Sequence, residues 1–140
     1  MKILAVSKTI IRNPGGKILL LKRSDSDTRR PGQWDVPGGR VEAGESAEAA
    51  GARETAEEAG ITVEDGSLVL MYAMTEKPEE DSSVTWLFYG GATLSDEVTL
   101  SPEHSEYTWV SLKEAIAMVS YGRQNRALVY IADNNLLSLV

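Results

Sequence analysis

Apolar and β-branched residues crowd positions 3–11, and that density predicts a strand. Asn13-Pro14-Gly15-Gly16 has the composition of a tight turn, and 17–22 reads as the hairpin partner. Ser24 to Gly32 is polar and reads as a loop. Trp34 to Val36 then forms a short strand entering Pro37-Gly38-Gly39. A helix is expected from Ser46, a favoured N-cap, to Gly60, which suits the left-handed position that ends a helix. Strands follow at 68–75 and 84–92, separated by an acidic loop, with Gly90-Gly91 marking a bulge or bend. Residues 94–106 read as loop and 107–110 as strand. Ser111-Leu112-Lys113-Glu114 is a capping box opening a helix to about Ser120, and 123–137 reads as a last helix. No repeat, linker or low-complexity tract interrupts the chain, so 1–140 is expected to form a single domain. This mixture predicts an α/β chain built as an α/β/α sandwich around a mixed β-sheet.

The helix at 46–60 carries the chemistry. At about 100° per residue, Glu54, Glu57 and Glu58 fall within an arc of about 100°, with Ala47 and Gly51 upstream on the same arc. The opposite arc holds Ala49, Ala52, Ala56 and Ala59, and is expected to lie against the sheet. Like charges one turn apart destabilise a helix. An interior glycine such as Gly51 costs about 0.5–1 kcal/mol against alanine. Local conflict of this kind marks functional sites. A divalent cation among the carboxylates would relieve the repulsion, and phosphate is its usual companion. A merely solvated acidic face would alternate glutamates with lysines at four-residue spacing, and this one does not.

Composition narrows the choice. With 140 residues and 42% hydrophobic content, the chain can bury a real core. The formal charge of -7 disfavours tracking along a nucleic acid polymer, where a basic stripe is expected. A small anionic substrate stays compatible, because a bound cation and a few arginines invert the sign locally. The absence of cysteine excludes a disulfide scaffold and a thiolate zinc site. The apolar run at 1–8 is too short for a signal peptide and no stretch approaches a membrane span, so a cytoplasmic location without membrane contact is expected.

The stretch Gly39-(five residues)-Glu45-(seven residues)-Arg53-Glu54-Thr55-Ala56-Glu57-Glu58-Ala59-Gly60-Ile61 resembles the signature box of the Nudix hydrolases, including the MutT-type nucleotide pyrophosphatases. Gly39, Glu45, Arg53, Glu54, Glu57, Glu58 and Gly60 fill its seven fixed positions. Coincidence at all seven has a probability on the order of 10⁻⁷ to 10⁻⁶ at average residue usage. Thr55 departs from the aliphatic residue of the pattern and is expected to weaken local packing slightly without changing the chemistry. The box covers 23 residues, and the flanking elements extend the resemblance to most of the chain.

The resemblance implies a Nudix-type sandwich that hydrolyses a diphosphate bond in a nucleoside diphosphate linked to another group. It implies Mg²⁺ as cofactor, with Mn²⁺ as an alternative. Glu57 and Glu58 would be the core ligands, joined by the carbonyl of Gly39. Glu54 would be a further ligand or the group that deprotonates water, and Arg53 belongs to the same catalytic set. Glu45 lies too far upstream for the metal arc and is expected to pair with Arg53, supporting the loop together with Gly38. Many members add a loop carboxylate before a late strand. Glu103 is the first choice for it, from its distance to Trp109-Val110-Ser111-Leu112, and Glu106 the second. His104 is assigned no role.

Arg23, Arg29 and Arg30 precede the Gly-Gly loop, and arginine grips phosphate with a rigid fork. Trp34 offers a stacking surface for a base. The partner is expected to be a small-molecule nucleotide, with a nucleoside triphosphate favoured over a nucleotide sugar, ADP-ribose or a dinucleoside polyphosphate. A non-catalytic nucleotide sensor of the same fold is the alternative. An isomerase on this scaffold would need a catalytic cysteine, which the chain lacks. Assembly as a homodimer stays open.

Overall fold

Eleven consecutive pairs, from Lys2↔Ser82 to Arg12↔Ala92, join two strands far apart in sequence, β1 (Lys2–Arg12) and β6 (Ser82–Ala92), in parallel. This comes from a computed structural model, which describes residues 1–120 and 122–140. The remaining strands are β2 (Ile18–Arg23), β3 (Trp34–Asp35), β4 (Gly38–Arg40), β5 (Val69–Glu76) and β7 (His104–Val110). The sheet runs β3-β2-β1-β6-β5, with β4 added to β1 and β7 to β2. Every pairing except β1 with β6 is antiparallel, so the sheet is mixed.

Period-2 alternation divides the apolar strand residues between two layers. Ile10, Ile18, Leu20 and Phe88 pack with Ala115, Leu128 and Ile131 of α2 (Leu112–Met118) and α3 (Gly122–Asp133). Ile11, Leu19 and Leu21 pack with Ala59, Ile61 and Val63 at the end of α1 (Ala47–Ala59). Helices on both faces of a mixed sheet make the expected α/β/α sandwich.

The sheet splits where the site forms. β1 and β2 pair only at Arg12↔Ile18 and then diverge. β3 fills the flank of β2 at Leu21↔Asp35, and β4 fills the flank of β1 at Lys8↔Gly38. The short link between them is pinned where the Thr9 N–H donates to the Pro37 carbonyl at 2.9 Å. Opposite β3, Arg23 of β2 pairs with His104 of β7. Lys8, Arg23, Asp35 and His104 are thus drawn together from four strands.

α1 begins and ends as its caps dictate. Ser46 Oγ accepts from Ala49 N–H at 3.1 Å, and Gly60 adopts φ 65° while its N–H donates to Ala56. Its inner face differs from expectation. Ala49 and Ala56 are exposed, and the buried side is Ala50, Gly51, Thr55, Glu58 and Ala59. Gly51 lies against β1, where a Cβ would stand 2.9 Å from Ser7 Oγ and 3.0 Å from Thr9 Cγ2. Thr55 is fully buried, and its hydroxyl bonds Thr9 Oγ1 and the Gly51 carbonyl, both at 2.7 Å. A threonine in the aliphatic slot is therefore matched by a threonine on the strand below, so no loosening of packing follows.

Two boundaries also move. β7 starts at His104, earlier than expected, because it pairs with β2 up to Arg23. α3 stops at Asp133, and a 3₁₀ turn (Leu136–Leu139) follows a left-handed Asn135.

Candidate active site

Gly38 and Gly39 form the floor of the site. At Gly38, φ is +144° and a Cβ would lie 2.2 Å from the Ser7 carbonyl oxygen, so only glycine fits. Its N–H donates to Glu58 Oε1 at 2.9 Å. A Cβ on Gly39 would lie 2.5 Å from the carboxylate carbon of Glu54. The loop backbone is thus laid directly against two of the three glutamates.

The three carboxylates do not share one open arc. Glu54 and Glu57 turn toward Arg53, whose Nη1 reaches Glu54 at 3.1 Å and both Glu57 oxygens at 3.3 Å. The same guanidinium grips Glu45 through two bonds, at 2.7 and 3.1 Å, and donates to the Arg40 carbonyl at 3.1 Å. The hydrogen bond from Arg53 holds Glu45 below the usual carboxylate range. Arg53 therefore fastens the loop of residues 40–45 to the helix and relieves part of the acidic repulsion.

Glu58 turns inward and is 6% exposed. Burial pushes its pKa up to about 7, against the opposing pull of Lys8, the Gly38 N–H and His104. Burial also raises Glu54, Arg53 pulls it back, and the charges of Glu57 and Glu103 push it further up.

Behind Glu58 sits a buried ionic group. Asp35 Oδ2 meets Arg23 Nη1 at 3.1 Å and Lys8 Nζ at 3.9 Å, while Oδ1 lies 3.4 Å from His104 Nε2. Burial opposes the Asp35 charge, but Lys8, His104 and Arg23 together hold its pKa below the ordinary value. The sequence reading passed over Lys8, Asp35 and His104. For Lys8 and Asp35 the one signal was a lone charge within an uncharged stretch of strand, between Ser7 and Thr9 and between Trp34 and Val36.

Among the described residues, Glu58, Glu103 and His104 each offer a donor atom, and these atoms lie within 4.8 Å of one another. Glu106, the second choice for that carboxylate, lies on β7 and instead bonds Lys22 at 3.0 Å in the open. The donor set fits a divalent cation: hard carboxylate oxygens converge beside a glycine backbone, and one of them is reluctant to carry its charge alone.

Of the four residues expected at the substrate, Arg23 is committed to Asp27 and Asp35. Arg29 and Arg30 donate their backbone N–H groups to Asp27. Arg30 and Trp34 line a cleft of about 400 Å³ with Glu76, Arg123, Gln124 and Arg126. Arg123 pairs with Glu76 and stacks 3.9 Å over Trp86. Gln124 reaches back to accept the Val36 N–H at 2.9 Å, which ties the cleft to the link between β3 and β4.

The geometry coincides with a known family. The NUDIX domain model matches residues 1–131. A bis(5'-nucleosyl)-tetraphosphatase (asymmetrical) of Caenorhabditis elegans is 36% identical over 138 residues, covering 91% of this chain and 93% of its own. The nucleoside triphosphatase NudI of Escherichia coli is 32% identical over 117 residues, covering 76% and 81%. The crystal structure of a MutT protein from Methanosarcina mazei Go1 superimposes with a TM-score of 0.78 at 32% identity, over 96% of each chain. Two other relatives are matched over only 62% of their own length. The chain belongs to the Nudix family. It is a Nudix hydrolase, of the class that acts on nucleotide-linked diphosphates with divalent metal ions. Among the described residues no helix is long and apolar enough to cross a membrane.

Proposed function

We propose that the chain hydrolyses nucleoside triphosphates to a monophosphate and pyrophosphate, with Mg²⁺ or Mn²⁺ as cofactor. The observation that carries this reading is the convergence of Glu58 and Glu103 beside the Gly38-Gly39 floor. Glu54, Glu57, Glu58 and Glu103, with the carbonyl of Gly39, would hold the ion. Bound there, a divalent ion neutralises phosphate oxygens and acidifies water.

The residues of the chain do the rest. Arg53 holds Glu45, Glu54 and Glu57 in register with the loop. Buried Lys8 offsets the charge on Glu58 from the sheet side. Where Glu54 does not bind the ion, its half-buried carboxylate, raised in pKa by burial, would accept a proton from the attacking water. Trp34 offers a stacking face and Arg30 a fork for an outer phosphate, in a cleft of a size suited to a small ligand.

A dinucleoside polyphosphate is the second reading. Arg30, Arg123 and Arg126 around one cleft of an acidic chain suit a substrate whose far end also carries phosphate. The test is product analysis over a panel of nucleoside triphosphates and dinucleoside tetraphosphates, with Mg²⁺ and with chelator. Metal-dependent release of pyrophosphate from a triphosphate supports the first reading. Turnover of the dinucleotide alone supports the second, and turnover of neither by folded, metal-supplied protein refutes both.

A further inference from the structure

We propose that His104 is itself a ligand of the divalent cation, which biases the site toward borderline ions such as Mn²⁺ or Co²⁺ and away from Mg²⁺. The inference rests on the reading of Glu58 and Glu103 as cation ligands. A ring nitrogen of His104 and carboxylate oxygens of Glu58 and Glu103 lie within 4.8 Å of one another. Donors bound to one ion at about 2.1 Å stand about 3 Å apart when adjacent and about 4.2 Å apart when opposite. The three donors therefore need only a modest inward movement, which the exposed Glu103 supplies.

A second observation points the same way. His104 is 5% exposed; its Nε2 faces Asp35, and its Nδ1 has no hydrogen-bond partner among the described residues. An imidazole buried with a ring nitrogen unsatisfied is costly unless something occupies the space it faces. Asp35 Oδ1 lies 3.4 Å from Nε2. Arg23 and Lys8 hold its other oxygen and fix the carboxylate in place. A buried carboxylate on one nitrogen of an imidazole is the arrangement that orients a metal-binding histidine, because it sets the tautomer and frees the other nitrogen's lone pair. Imidazole donors favour borderline transition ions, whereas Mg²⁺ favours oxygen alone.

The chain holds a single histidine, so the test is unambiguous. Protein grown with ¹⁵N-histidine and loaded with Mn²⁺ is examined by electron spin-echo spectroscopy. A ¹⁵N coupling of the size given by a directly bound nitrogen is expected. In His104→Gln, the ratio of Mn²⁺ to Mg²⁺ affinity measured by calorimetry should fall about tenfold or more. Absence of that coupling in protein that binds Mn²⁺ would overturn the proposal and leave the glutamate site standing. Failure to bind any divalent ion would remove both. If His104→Gln does not fold, the spectrum of the unaltered protein decides alone.

Discussion

Glu58 Oε1 accepts the Gly38 backbone N–H at 2.9 Å, so the helix carboxylate and the glycine floor are joined before any cation arrives. The bond fixes the direction of a side chain that burial would otherwise drive toward neutrality. Glutamine keeps an acceptor for this bond and removes the charge.

Glu58→Gln should lower hydrolysis by orders of magnitude while leaving the protein as stable or more so. The sign follows from linkage. The folded pKa of about 7 lies above the ordinary 4.5, so the folded state binds the extra proton. The stability this gives is fully present below pH 4.5 and is lost as pH rises through 7. The loss at higher pH is on the order of 3 kcal/mol. Thermal unfolding in chelator, at pH 5 and pH 8, should show this drop in the unaltered protein and a smaller one in Glu58→Gln.

Gly38→Ala and Gly39→Ala should separate fold from chemistry. The first drives a methyl into backbone at Ser7 and should cost about 2–4 kcal/mol. The second meets first the Glu54 carboxylate, the end of a side chain that can swing away. It should keep most of its stability and lose activity, as read by paired denaturation and turnover measurements.

Arg53→Lys keeps the charge but loses the fork that grips Glu45 at two points. Turnover should fall by about tenfold or more. Lysine restoring full turnover would show that charge alone, without geometry, is what Arg53 contributes.

Asp35→Asn should be the most destabilising of these changes, by about 3–5 kcal/mol in urea, because it strips buried Lys8 of the carboxylate it is paired with and takes one of the two carboxylates of Arg23.

Thr55→Val strands the Thr9 hydroxyl and should cost about 1–3 kcal/mol. The double variant Thr9→Val with Thr55→Val should recover part of that loss.

The elements that local rules govern were legible in the chain. Ser46 and Gly60 bound α1 as their capping preferences demand, and Ser111 with Glu114 opens α2 as a capping box. The inner face of α1 was misread because alanines on one side and Gly51, Thr55 and Glu58 on the other leave little difference in hydropathy. What decides between them is the strand beneath, where Ser7 and Thr9 admit a glycine and bond a threonine. The buried Lys8, Arg23, Asp35 and His104 group was illegible for a related reason. Its members sit on four strands, and only the divergence of β1 from β2 brings them into contact.

A crystal soaked with Mn²⁺ and a non-hydrolysable nucleoside triphosphate analogue tests the metal site most directly. An anomalous peak should appear within bonding distance of Glu58 and Glu103, touching the phosphate chain of the analogue. A bound nucleotide with no such peak near any glutamate of α1 would contradict it.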